Sequence, residues 1–313
     1  DRYFGIPGMM FGHEDPFHHS TADSIDKVEP LECRSTGTIV GTLAYGLAYN
    51  EEEFLEEVSK LVYLETLDEL IKTEDYKKFL QTQDLPDIPS DREYYRSLKS
   101  KESIAERMNW RCLPQPVFDE YSQGTYYASM AIEFMKKNKD NPFFLWLAFH
   151  EPHQPFYFPI EYADKYQPDK MPLPEGGPED DRWIPEKFRN LSREEKRGII
   201  ASYYTSVEYM DKNIGLVLGA IKDMGLDKNT LVIYISDNGY LLNDHKRFEK
   251  HTMWEESVKL PLIVRNGDEK LAGKKCPSLV EYIDIVPTIL DIIGIDPLNE
   301  VQGKSFKDCL ENV

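Results

Sequence analysis

Residues 230–265 read TLVIYISDNGYLLNDHKRFEKHTMWEESVKLPLIVR. Residues 229–236 form a continuous apolar run rich in β-branched side chains, of strand length and with no polar alternation. Such a run suits a strand covered on both faces. It stops at Asp237-Asn238-Gly239, and the next apolar run, KLPLIVR (259–265), has the same character. A third, PFFLWLAF (142–149), ends at HEPHQPFYFP, where three prolines forbid either ladder or helix. Helical patterns separate these runs. TYYASMAIEFMKKN (125–138) is one, and a capping box of Ser192 and Glu195 opens a long second helix that reaches Gly225. IDIVPTILDIIG (283–294) is the last, with Pro287 in its first turn and Gly294 at its end. This alternation implies an α/β fold with a mostly parallel central sheet and helices on both faces. In such sheets functional loops leave the carboxyl ends of the strands, so Asp237 and Asn238 belong at a rim.

Outward from this block the chain is less regular. Residues 1–32 read as loop, and the apolar spacing from Glu51 to Gln81 is that of a solvent-faced helix or helix pair. Residues 82–118 are irregular, and 160–190 form a proline-rich, acidic surface excursion. There is no internal repeat. The 313 residues suit one large domain or two smaller ones, with 41% hydrophobic content. The 56 acidic and 37 basic residues leave a net charge of -19, which argues against nucleic acid or an anionic membrane as the main partner. The longest weakly polar run, TGTIVGTLAYGLAY (36–49), is too short for the roughly 20 residues of a span. Cys33, Cys112, Cys276 and Cys309 include no CxxC pair, so a thiolate metal site is not expected, and one or two disulfides are compatible with any pairing. No basic-then-apolar leader is visible, and Asn190-Leu-Ser is a glycosylation sequon.

The residues able to carry chemistry cluster. All seven histidines fall in three stretches: His13, His18 and His19; His150 and His153; His245 and His251. The last two stretches follow strands and should face one rim. Asp237 and Asn238 offer hard oxygen donors suited to Ca²⁺ or Mg²⁺, with Gly239 allowing a sharp turn beside them; the plain alternative is an ordinary Asp-Asn-Gly turn. Arg247, Lys250 and His251 are either a solvated mixed-charge surface or a cationic clamp for an oxyanion.

At this point the residues match a family. The stretch 229–265 resembles the type I sulfatases of the alkaline-phosphatase superfamily, in which a strand ends in Ser-Asp-(Asn/His)-Gly and a loop leads to Lys-x-Thr and P-L-I-V. PFFLWLAFHEPHQPF resembles the family's His-x-Pro-His-x-Pro loop, the long Tyr-Tyr…Met-Asp…Ile-Gly helix is similar, and EYIDIVPTILDIIGI…GKSF matches its Asp-x-x-Pro-Thr helix. The match covers 119–170 and 195–308. It implies a three-layer sandwich, here incomplete, in which 1–313 form part of one catalytic domain and 33–116 a largely helical insertion. It implies Asp237 and Asn238 as two of four side-chain ligands for Ca²⁺ (or Mg²⁺), Lys250 and His153 as catalytic sulfate-binding groups, and His150, Arg247 and His251 as residues on the substrate side. The implied reaction is sulfate-ester hydrolysis on an aryl sulfate or a sulfated glycan, in a secreted, lysosomal or periplasmic protein. The alternatives are a phosphodiesterase or phosphonate monoester hydrolase of the superfamily, or a binding protein on the same scaffold. The family's nucleophile is a formylglycine made from Cys-x-(Pro/Ala)-Ser-Arg, and none of the four cysteines has that setting. The nucleophile is therefore expected outside this stretch of chain, and the 313 residues alone are expected to be inactive and aggregation-prone.

Overall fold

The computed structural model describes residues 38–44, 76–85, 88–89, 93, 96–98, 103–267, 272–295 and 302–311. Its main sheet has strands β1 (Thr38–Ala44), β2 (Phe144–Ala148), β3 (Thr230–Ser236) and β6 (Leu262–Arg265), in the order β2-β1-β3-β6. A small second sheet pairs β4 (Leu241–Leu242) with β5 (Phe248–Glu249). Three long helices accompany them: α1 (Gln123–Asn138), α2 (Arg193–Asp223) and α3 (Ile285–Ile293).

Both faces of the main sheet are covered. On one, Leu231, Ile233 and Ile235 join Phe144 against Ile285, Val286, Ile289 and Leu290 of α3. On the other, Phe143, Leu145, Leu147 and Val232 pack on Ala128 and Met135 of α1 and on Met210, Ile214 and Val217 of α2. Alternate side chains of β3 thus enter two different cores, which is why its sequence shows no polar alternation. Each fully buried aliphatic side chain contributes about 1.5–3 kcal/mol. The capping box of α2 is present: Glu195 N–H donates to Ser192 Oγ at 3.1 Å, and Ser192 N–H to Glu195 Oε2 at 2.8 Å. Gly294 ends α3 in the left-handed conformation, at φ 78°.

The α/β class and the two covered faces agree with the reading of the sequence; the direction of pairing does not. β2 and β3 run the same way, but β1 lies between them and is antiparallel to both, and β6 is antiparallel to β3. Apolar periodicity locates a strand without giving the direction of its neighbour. The register of β1 fixes the rim. Ile39 faces Ala148 on one side and Ile235 on the other, so β2 and β3 end level with each other.

The segment 33–116 supplies a sheet strand as well as helical residues, among them 76–82 and 104–107. Most of the helix expected between Glu51 and Gln81 lies outside the described residues, as do His13, His18, His19 and Cys33. The stretch 160–190 is more than a surface excursion, because Tyr162, Met171 and Phe188 are buried. Met171 and Phe188 pack with Ile199 and Ile200 of α2 and with Phe248, anchoring the proline-rich turns to the body. Cys276 and Cys309 form a disulfide, while Cys112 is a free thiol. Among the described residues no helix is long and apolar enough to cross a membrane.

Candidate active site

His150 follows Ala148 by two residues, and Asp237 follows Ile235 by two. With those strand ends level, the two loops start side by side. They are joined directly where the Tyr240 hydroxyl donates to Gln154 Oε1 at 2.7 Å. Tyr240 stacks on Tyr203 of α2, and Phe156 meets both rings edge-on.

In the first loop the imidazoles of His150 and His153 lie 4.9 Å apart, and His150 stacks on Tyr157. His153 Nδ1 donates to the Gln154 carbonyl at 2.6 Å, which fixes that ring's orientation. His150 Nδ1 is shut off from solvent and has no hydrogen-bond partner among the described residues. Burial, and then the nearby Lys250 ammonium, hold the His150 pKa down to about 4, so the ring is neutral at physiological pH.

In the second loop Asp237 is withdrawn from solvent, and burial raises its pKa to about 6. Lys250 and hydrogen bonds from Asn238 oppose that rise without cancelling it. The charge of Asp237 is felt in turn by Tyr203, pushed to about 12 chiefly by its own burial, and by Tyr282, likewise raised first by burial. Asp237, Asn238, Lys250, His150 and His153 therefore share one neighbourhood, ringed by Tyr157, Tyr203, Tyr240 and Tyr282. The tyrosines were not singled out from the sequence; the Tyr-Tyr pair of α2 was the signal for Tyr203.

A divalent cation fits this donor set. Asp237 is a carboxylate whose desolvation outweighs the charge of the nearby Lys250, and Asn238 adds a hard carboxamide oxygen next to it. Two residues do not complete a Ca²⁺ shell of 6–8 oxygens. Among the described residues no group of three or more His, Cys, Asp or Glu side chains is placed to hold a metal.

Gly239 serves a different purpose from the expected sharp turn. Its φ is not left-handed, but a Cβ there would lie 2.0 Å from the Glu256 carbonyl oxygen, and its N–H donates to the Ser257 carbonyl at 2.9 Å. The glycine permits two backbones to touch.

Three other loop residues are placed differently. His245 turns outward, its Nδ1 3.0 Å from Asp180 Oδ1 and its ring stacked on Trp254. Arg247 lies over the Trp254 ring and donates to the Trp183 carbonyl at 3.4 Å. His251 is exposed, with φ 67°.

The Sulfatase family model matches residues 59–295, so the match begins inside the segment expected as an insertion. A sulfatase of Formosa agariphila is 31% identical over 223 residues, covering 66% of this chain and 43% of that protein. An arylsulfatase of Clostridium perfringens is 30% identical over 224 residues, covering 65% of this chain and 45% of its own length. The chain thus spans less than half the length of these two relatives. In structure it resembles a phosphonate monoester hydrolase of Agrobacterium radiobacter, with TM-score 0.64 and 21% identity over 76% of this chain and 50% of the other; that likeness concerns the fold. The carboxylate–carboxamide strand end, the levelled histidine loop and a family match across most of the sequence lead to one conclusion: this chain belongs to the sulfatase family.

Proposed function

We propose that the protein of which these residues form part hydrolyses sulfate esters. One observation carries the reading: a desolvated carboxylate at a strand end with an ammonium group beside it and two imidazoles on the neighbouring loop. Asp237 and Asn238 would be protein ligands to Ca²⁺, or Mg²⁺. A cation held there would supply positive charge to offset the burial of Asp237 and to stabilise the anionic ester group. Lys250 contributes a point charge to a second sulfate oxygen, and His153, in its doubly protonated form, would give its Nε2 proton to the bridging oxygen as the S–O bond opens. His150 stays neutral behind them. The nucleophile would be a formylglycine from outside these 313 residues, since no cysteine here has the required setting.

A sulfated glycan is the substrate class favoured by the rim. Arg182 lies over the ring of the exposed Trp183 and Arg247 over that of the half-buried Trp254, and neither arginine makes an ion pair with a carboxylate among the described residues. The lysines of these loops do: Lys187 with Glu249 and Lys246 with Asp181. A guanidinium edge without a carboxylate partner suits the anionic substituent of such a glycan. The Cys276–Cys309 disulfide favours a secreted, lysosomal or periplasmic location.

A second reading is phosphodiester or phosphonate ester hydrolysis at the same site, since an ammonium group and imidazoles beside a bound cation would serve a phosphoryl group as they serve a sulfuryl group. Assaying the full-length gene product in parallel on an aryl sulfate and an aryl phosphodiester separates the two. The sulfate ester should be turned over with the higher kcat/KM; phosphodiester preference would establish the second reading, and inactivity toward both would leave a binding protein.

A further inference from the structure

The loop that carries Lys250 adopts a backbone that its own residues disfavour. Asn243, His245, Lys246, Glu249 and His251 all have positive φ, at 75°, 50°, 58°, 72° and 67°. Side chains with a Cβ resist that region, and such a series persists only where the surroundings over-determine it. The over-determining contacts come from residues 174–187. The Pro174 carbonyl accepts from Asn243 Nδ2, Asp181 accepts from Lys246 at 2.6 Å, the Trp183 carbonyl accepts from Arg247, and Lys187 pairs with Glu249.

These contacts are not equal. The Lys246–Asp181 pair has an exposed carboxylate, and such pairs hold little. Asp180 is only 6% exposed, and its two oxygens are both used: Oδ2 takes the Gly177 N–H at 2.8 Å and Oδ1 takes His245 Nδ1 at 3.0 Å. The Gly177 N–H first, and His245 second, keep its pKa below the usual carboxylate value. The far face of His245 is closed by Trp254, with ring centroids 4.0 Å apart and planes 12° from parallel. The imidazole is thus gripped in its plane by a carboxylate and across its face by an indole, five residues before Lys250.

We propose that Asp180 and His245 are a positioning pair, which sets the Lys250 ammonium where the sulfate group binds. This rests on the reading of Lys250 as a sulfate clamp. The pair touches no substrate atom, and its effect passes through the backbone from His245 to Lys250.

The test is a double-mutant cycle in the full-length gene product, using aryl sulfates of graded leaving-group pKa, with melting temperature measured alongside. Asp180→Asn, which cannot accept from both donors, and His245→Gln should each lower kcat/KM about 10- to 100-fold, the penalty of a misplaced group. Each should make the rate more sensitive to leaving-group pKa, as Lys250→Ala does. Asp180→Asn combined with Lys250→Ala should be no slower than Lys250→Ala alone. Penalties that multiply, or an unchanged leaving-group dependence, overturn the pair. Should Asp180→Asn fail to fold, His245→Gln gives the same readout. Loss of turnover in Lys250→Ala with both pair variants fully active overturns the pair alone, whereas a fully active Lys250→Ala overturns the clamp and the pair together.

Discussion

After burial, Lys250 is the strongest influence on the two titrating groups of the site. It favours the ionised form of Asp237 and the neutral form of His150, two effects of one ammonium group. Lys250→Ala should cost on the order of 2–4 kcal/mol of transition-state stabilisation, like the loss of an oxyanion donor, with the melting temperature little changed. A fall in kcat/KM on an aryl sulfate without a shift in thermal midpoint is the expected pattern. His150 carries a pH prediction. It titrates at about 4 in the folded protein, against about 6.5 in an unfolded chain. Between those values the unfolded state takes up a proton that the folded state refuses. Stability is therefore complete above the unfolded value and is lost as the pH falls toward the folded one. Urea unfolding from pH 7 to pH 5 should show the wild type losing about 2 kcal/mol more than His150→Asn; parallel curves would contradict the burial of this ring. At this scale the sequence reading nominates His150, His153, Asp237, Asn238 and Lys250 from two loops that follow strands and from the family resemblance, and the structure brings these residues together. It did not find Asp180, whose contact with His245 spans 65 positions, and it misread Gly239, whose constraint is the carbonyl of Glu256.

Strands and helices were legible wherever burial is uniform along them. β2 and β3 enter cores on both faces and so show continuous apolar runs; α2 announces its start by a capping box; α3 ends on a left-handed glycine. Pairing direction was not legible, since β1 joins the sheet from a remote part of the chain and nothing in its own run states which way its neighbours point. The disulfide was illegible for a related reason, because four cysteines allow several pairings and only the fold brings Cys276 to Cys309. That cross-link has a predictable weight. It joins residues 33 positions apart, and removing it by Cys309→Ser should lower unfolding free energy by about 3–4 kcal/mol from loop entropy. Denaturant midpoints of the variant and of the oxidised wild type would measure this. Gly239→Ala belongs to the same scale, since it separates the β3 end from residues 256–257. The clash should cost about 1–3 kcal/mol and lower turnover by moving Asp237; an unchanged denaturant midpoint would show that the two backbones can part freely.

Over the whole molecule, the sheet acts as a levelling device. One shared register residue, Ile39, brings the ends of β2 and β3 to the same height, and every nominated residue except Arg247 and His251 gathers where those strands stop. The proline-rich stretch 160–190 packs against α2 and against the loop that carries Lys250, so the outer rim and that loop are joined mechanically. The chain as a whole carries a net charge of -19, so the two rim arginines without a carboxylate partner among the described residues are a local feature suited to an anionic group. The most direct measurement is sulfate-ester turnover by Asp237→Ala in the full-length gene product, with bound divalent metal quantified in the same samples. Turnover lost together with the metal, while the circular dichroism spectrum and melting temperature stay close to wild type, is the predicted result. Undiminished hydrolysis of the sulfate ester with metal content unchanged would contradict it.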